Sequence, residues 1–394
     1  MTRTIAAGLA LWLSVALQVT ACDDESDGDA DADSDIDADT DGDGDGDGDG
    51  DGDGDVDADA DSDGDTDADG DADTDSDTDA DADETPSCEL VESGPVEVTE
   101  DGQVIEGLRI TSVDGPAVNV TDATDVTIRR CEIHHTGGPG IRFNNADGIT
   151  IEEVSVVHDG APATGQNPSA ELNNIAGEFS ERVVISHVRL TRGSTGIYLL
   201  ECAGAQLDWV EGHDFRGPFP RGQVVQFNNC DNATLEDFSV INPPGSWPED
   251  NVNIYQSTNV EVRRGHIDGN NSPSGVGVIF DGGNATGLVE DVDAIRMGNG
   301  CFSAYAGGDG SVFRRTRCRE NICTSQDGRG EPSSGALMWA GQPGLSALRI
   351  EDSAYFAACA PGNIVWPSDS FEVVEVDEED FVMRDPVVLD LCWE

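Results

Sequence analysis

The most constraining feature of this chain is a spacing. Counted from Val118, apolar or small residues fall at offsets 8, 10, 13 and 15, giving Val126, Ile128, Cys131 and Ile133. The same offsets from Ile141 give Ile149, Ile151, Val154 and Val156, and from Ile175 they give Val183, Ile185, Val188 and Leu190. Val225 leads to Ala233, Leu235, Phe238 and Val240, and Val252 leads to Val260, Val262, Gly265 and Ile267. Looser copies start at Ile197, Ile279 and Ser303, and successive starts lie 23, 34, 22, 28, 27, 27 and 24 residues apart. A fixed internal pattern with connections of variable length marks a solenoid whose insertions sit in loops.

Inside each repeat the alternation has period two and is rich in Val, Ile and Phe, so the elements are strands. Three short strands per coil, separated by Gly, Asn and Asp turns, describe an all-β, single-stranded right-handed parallel β-helix. On these residues the chain resembles the pectate-lyase-like β-helix superfamily over roughly residues 95–375. That superfamily hosts many activities, so the resemblance implies an architecture and not a reaction. Asn144-Asn145 and Asn228-Asn229 share one turn position, where Asn tolerates left-handed backbone.

The register also assigns charges that would otherwise pass for a site. Offsets 11 and 12 read Arg129-Arg130, Glu152-Glu153, Ser186-His187, Asp208-Trp209, Glu236-Asp237, Arg263-Arg264, Glu290-Asp291 and Arg314-Arg315. With coils about 4.8 Å apart, opposite charges stack into a surface ion-pair ladder, each pair contributing about 0–1 kcal/mol. Cys202 and Cys230 both take offset 5 in neighbouring coils, and one coil rise suits a disulfide. Cys301, Cys323 and Cys359 each follow a third strand, so two of them are candidates to pair, while Cys131 is expected as a core thiol. No Cys or His spacing spells zinc.

Upstream of the repeats the chain is of another kind. Arg3 precedes the apolar run "AAGLALWLSVAL", which reads as a signal-peptide core, and the run ends in "VTAC". That ending resembles the bacterial lipoprotein lipobox, which implies cleavage after residue 21 and a lipid on Cys22. Residues 23–84 then carry 31 Asp and 2 Glu, with Asp at every odd position from Asp27 to Asp83. Such a segment cannot bury a core and repels itself, so 22–87 is expected as a disordered tether of up to about 200 Å. "DSDGD" looks like half an EF-hand, but no phase of the tract supplies both the Gly and the Glu that such a loop needs. The expected domains are therefore a signal peptide over 1–21, a tether over 22–87 and a β-helix over 88–394.

Composition narrows the partners. The formal net charge is −61 and there is no lysine, so a phosphate backbone is repelled and nucleic acid is not expected as a partner. A lipid anchor would be the only contact with a membrane, placing a monomeric protein in the cell envelope, outside the cytoplasm. The outer membrane or cell surface is favoured over the inner membrane.

Chemistry is expected along the outer face of the first strand, at offset 1. There Asn119, Arg142, Ala176, Tyr198, Gln226, Asn253, Phe280 and Ala304 form a stripe that is polar and aromatic in its middle. Long loops open onto it and bring in His158, Glu171, His213, Asp214, Arg216, Arg221, Trp247, Glu249 and Asp250. The stretches "GPFPRGQVVQF" and "PEDNVNIY" are similar to ones in bacterial right-handed β-helix repeat proteins. That resemblance supports Arg221, Gln223, Gln226, Glu249, Asp250, Asn253 and Tyr255 as one site. Arg221, Glu249 and Asp250 are the catalytic candidates. Gln223, Gln226, Asn253, Tyr255, Trp247, Tyr198 and Arg142 are the substrate-binding ones.

The aspartate motifs of polygalacturonase-like hydrolases are matched only in part, and without lysine a lyase would need Arg221, Arg216 or a histidine as base. No cofactor is spelled out, and calcium, common in such lyases, is the one to consider. The reading is a surface-anchored protein that binds an extracellular polysaccharide and cleaves it as a lyase or glycoside hydrolase. The alternative is a non-catalytic glycan-binding or adhesive module, with Arg221 stapling two Pro-rich loops.

Overall fold

The structure is a computed structural model. It describes residues 88–393 apart from 165, 167–170, 217–220, 271, 273, 323–336, 341–344, 346, 357–364, 367–372 and 375–381. Cys22, the Asp tract, Cys323 and Cys359 lie outside the described residues.

Among the described residues the strands assort into two parallel sheets, one of fifteen strands and one of eleven. Each coil gives a four-residue strand to the smaller sheet, such as Val118–Thr121, Ile141–Asn144, Ile175–Glu178, Ile197–Leu200, Val225–Asn228, Val252–Tyr255 and Val278–Asp281. A longer strand of the same coil, such as Thr124–His135, Asp147–His158 or Thr234–Ile241, joins the larger sheet. Each strand pairs in parallel with its equivalent in the next coil, as Val118 does with Ile141 and Ile128 with Ile151.

In most coils the expected second and third strands are one bent strand, while at Arg315 they stay separate as Val312–Arg314 and Arg317–Arg319. The bend is a single residue in left-handed conformation: Arg130, Glu153, His187, Trp209, Asp237, Arg264, Asp291 and Arg315 have φ between 47° and 55°. These are the second residues of the charge pairs read from the sequence. Left-handed backbone costs a non-glycine residue about 1–2 kcal/mol, and the bend turns apolar residues on both sides of it into one core. Val126, Ile128, Cys131 and Ile133 are all fully buried. The expected ladder forms over the corner. Arg129 pairs with Glu106 at 2.8 Å and Arg264 with Glu236 and Asp237 at 2.7 and 2.8 Å, while Arg315 pairs with Asp291 at 2.8 Å.

The turn after each short strand also requires left-handed backbone. Asn145 and Asn229 adopt it as expected, at φ 52° and 53°, but so do Asp122, Phe179, Glu201 and Gln256. The turn geometry is imposed by the coil, and Asn is only its easiest occupant.

Two registers differ from the sequence reading. Val252 pairs with Val278, and Val278 with Phe302, so the coils assigned to starts at Ile279 and Ser303 begin one residue earlier. The outward residues there are Ile279 and Ser303, and Phe280, expected outside, is fully buried.

The cysteine pairing also changes. Cys202 and Cys230 do stack in adjacent coils, but both are thiols. They belong to a column of turn caps: Ser180 Oγ accepts the Ala146 N–H at 3.1 Å, Cys230 Sγ the Cys202 N–H at 3.3 Å and Ser257 Oγ the Cys230 N–H at 2.8 Å. Each thiol in turn points at backbone carbonyls, Cys202 at Leu200 and Cys230 at Leu199 and Asn228. A bond between the sulfurs would dismantle that ladder. Cys301 pairs instead with Cys318, at a Cα separation of 5.8 Å. Cys131 is a buried thiol, as expected.

Candidate functional site

The outer face of the smaller sheet carries two rows of side chains, each stepping one coil at a time. The first runs Asn119, Arg142, Ala176, Tyr198, Gln226, Asn253, Ile279 and Ser303. The second runs Thr121, Asn144, Glu178, Leu200, Asn228, Tyr255 and Asp281. Alternation along a strand puts positions one and three on the same side, so the rows form one continuous strip. Arg142 pairs with Glu178 at 3.6 Å. The Tyr198 hydroxyl accepts a hydrogen bond from Asn228 Nδ2 at 3.2 Å, and burial raises its phenol pKa.

At one end of the strip three carboxyl groups converge. Asp250 is 3% exposed and both its oxygens are used: Oδ2 accepts from Asn253 Nδ2 at 3.0 Å and Oδ1 from the Val276 N–H at 3.2 Å. Asn253 also reaches Asp281, whose second contact is the Gly282 N–H at 2.7 Å. Glu249 stands beside both aspartates. Burial, then the charges of Asp250 and Asp281, push its carboxyl up to about 9, against the opposing pull of Arg221. Burial likewise lifts Asp250 to about 7, while its bonds from Asn253 and Val276 hold it down. Burial raises Asp281 as well. At neutral pH Glu249 is therefore a protonated acid.

Arg221 joins this group through the chain. Its carbonyl accepts the Glu249 N–H at 2.8 Å. Its guanidinium pairs with Glu171, from the loop two coils earlier, and is felt by Glu249. The expected partners Glu249 and Asp250 thus give way to Glu171 as the direct ion pair. Asn270 Nδ2 donates to the Glu249 carbonyl at 2.8 Å and pins the loop from the other side. Trp247 is half-buried in the same loop, and Gln226 and Tyr255 line the strip beside Asn253.

Other expected members fall away from the strip. Gln223 is 1% exposed and its Oε1 accepts from Thr195 Oγ1 at 2.9 Å, so it supports the wall and does not face a ligand. His158 is 1% exposed and stacks on His135 with ring centroids 4.7 Å apart. Arg216 is 6% exposed, tied to Asp214 and to the Pro162 carbonyl at 2.7 Å. His213 bonds Glu211 at 2.8 Å on the larger sheet.

Asp281 was not expected. Its signal was present in the sequence, because a coil starting at Val278 puts it in the row of Asn228 and Tyr255. The one-residue shift to Ile279 hid it. Among the described residues no three His, Cys, Asp or Glu side chains are arranged to hold a metal.

Residues 95–208 match a family model described as right handed beta helix region. No curated protein matches the chain. Among solved structures, the catalytic domain of a GH87 alpha-1,3-glucanase in complex with nigerose is similar at 12% identity and a TM-score of 0.39, over 73% of this chain and 63% of that one. The Agl-KA catalytic domain is similar at 9% identity and a TM-score of 0.31, over 73% of this chain and 62% of that one. This chain thus spans less than two thirds of the length of those structures. The parallel register of successive coils and the match over 95–208 establish the fold: this chain carries a right-handed parallel β-helix.

Proposed function

We propose that the strip on the smaller sheet binds a polysaccharide chain and that Glu249 and Asp281 hydrolyse it. The observation that carries this reading is the unequal pair of carboxyls beside Asn253. Glu249 is held neutral by burial and by two neighbouring carboxylates, while Asp281 lies on the strip itself with only part of its surface covered. Two carboxyls in unlike surroundings, one shielded beside its neighbours and one on the open strip, suit glycoside hydrolysis, in which one donates a proton to the leaving oxygen and the other acts on the opposite face of the sugar. Asp250 is a positioning residue, because its two oxygens are spent on Asn253 and Val276. A lyase mechanism with Arg221 as base is disfavoured, since its guanidinium is engaged by Glu171. Tyr198, Tyr255, Gln226 and Asn228 supply ring faces and amides for sugar rings and hydroxyls.

The same engaged Arg221 and saturated Asp250 favour a second reading, a glycan-binding module without turnover. The two separate on a panel of polysaccharides given to the purified full chain. Hydrolysis predicts new reducing ends from a responsive glycan. Glu249→Gln and Asp281→Asn should each lower that rate by about 10²–10⁴-fold and leave the chain folded with glycan affinity near the parent's. Binding with no product from any glycan that binds would leave the module reading.

The anchor belongs to the proposal too. A lipid on Cys22 with the Asp tract as spacer would hold the β-helix at the cell envelope, within reach of extracellular glycan. Cys22→Ser should then move the protein from the membrane fraction to the soluble fraction. Retention of that variant in the membrane would refute the anchor and leave the hydrolysis reading standing.

A further inference from the structure

One row of side chains on the larger sheet is polar, faces outward and is nevertheless buried. Asp293, His266, Ser239 and Glu211 occupy equivalent positions in four successive coils. Their exposures are 0, 7, 0 and 4%. What covers them is the C-terminal segment. The Arg384 N–H donates to Asp293, and His266 Nδ1 donates to the Arg384 carbonyl at 2.8 Å. Ser239 Oγ donates to the Val387 carbonyl at 2.9 Å, and the Leu389 N–H donates to Glu211 Oε2 at 2.9 Å. Arg189, one coil further back, donates to the Leu389 carbonyl.

The chain therefore runs back across the coils as a strap, at right angles to the strands and towards the start of the β-helix. Its length fits that path. Five residues from Arg384 to Leu389 span about 17 Å when extended, and the three coil rises from Asp293 to Glu211 span about 14 Å. Leu389 and Leu391 turn inward, 7 and 3% exposed, and Asp390 and Cys392 turn outward. Three more residues carry the strap over two further coils, where Cys392 feels the charges of Glu153 and Arg130. There it lies against Cys88, the two thiols hydrogen-bonded side chain to side chain. Cys88 stands three residues before the strand Val91–Ser93, which opens the larger sheet.

We propose that Cys88 and Cys392 are joined by a disulfide that clasps this strap over the β-helix. Both residues are exposed, so an oxidant can reach them, and the Cys301–Cys318 disulfide already places the chain among proteins that meet one. Bond formation joins the two sulfurs and releases two protons and two electrons. The acceptor is a disulfide-bearing oxidoreductase, which leaves as its dithiol. A solenoid holds each coil only by its neighbours and so unravels from its ends. A strap fixed at both ends ties several coils together and closes nearly the whole folded domain into one covalent loop, restricting the unfolded chain. The clasp is independent of the proposed hydrolysis.

The test uses the full chain, exported into an oxidising compartment, alkylated before denaturation and digested without reductant. A peptide linking Cys88 to Cys392 is expected, and it should vanish on reduction. Cys88→Ser, Cys392→Ser and the double variant should melt at one common temperature, roughly 3–10 °C below the parent. In each, protease should cleave the strap at Arg384 faster than in the parent. Alkylation of both cysteines in the folded, unreduced chain, or linkage of either to another cysteine, would overturn the proposal. Equally fatal would be single variants whose losses add in the double variant, since a shared bond can be lost only once.

Discussion

The ring of Phe238 occupies the space that Gly265 leaves one coil away: a Cβ on Gly265 would lie 2.2 Å from Phe238 Cζ. Gly265 fills an inward offset that Val or Cys takes in other coils, so its missing side chain is the complement of a large neighbour. Gly177 stands in the same relation to Phe143, with a Cβ contact of 2.1 Å. Core columns in this solenoid are thus packed in pairs of large and small residues.

Gly265→Ala should destabilise the β-helix by about 1–3 kcal/mol, the usual cost of overpacking a dense core. Phe238→Leu in the same chain should recover part of that loss, which neither substitution does alone. Denaturant unfolding of the two single variants and the double variant measures the coupling. Additive losses would show that the two residues do not share one space.

Cys202→Ser should be nearly neutral, within about 1 kcal/mol, because Ser180 and Ser257 already cap the same turn in neighbouring coils. Cys202→Val removes the sulfur that meets the Ser180 backbone and should cost more. Alkylation of the unfolded, unreduced chain should label both Cys202 and Cys230. A linked pair would mean that the cap ladder is broken in the oxidised protein.

The raised carboxyl of Glu249 makes stability depend on pH with a definite sign. Unfolded, the group ionises near 4.5, and folded it holds its proton to about 9. Its contribution is therefore full below about pH 4.5, shrinks as pH rises and is lost by about pH 9. Asp250 acts in the same direction between 3.8 and about 7. Glu249→Gln keeps a neutral side chain at all pH values, so its melting temperature should exceed the parent's increasingly from pH 5 to 9. A constant difference across that range would show that Glu249 is ionised in the fold.

Arg221→Ala tests the loop staple. Its partner Glu171 is more than half exposed, so the lost ion pair should cost only about 0–1 kcal/mol. Removing the cation also removes the one charge that favours ionised Glu249. If Glu249 is the acid, the alkaline limb of the pH–rate profile should move to higher pH. An unmoved limb with a melting temperature several degrees lower would make Arg221 a staple and nothing more.

The repeat, its inward columns and its charge ladder were legible in the sequence because they follow from a local rule. Side chains alternate along a strand, and parallel stacking copies that alternation from coil to coil at a fixed rise. Much of the strip was legible for the same reason, as Arg142, Tyr198, Gln226, Asn253 and Tyr255 show. What the sequence left open lies where chain length varies or segments distant in sequence meet. A one-residue difference in the turn before Val278 shifted Asp281 out of view. The choice of Glu171 for Arg221, and the burial of Gln223 against Thr195, depend on which loops lean together. The return of Arg384–Cys392 across seven coils to Cys88 leaves no periodic trace, because a strap is held by single hydrogen bonds to side chains that other elements have already placed. Periodicity fixes which face a residue takes, and only the packed chain decides what it meets there.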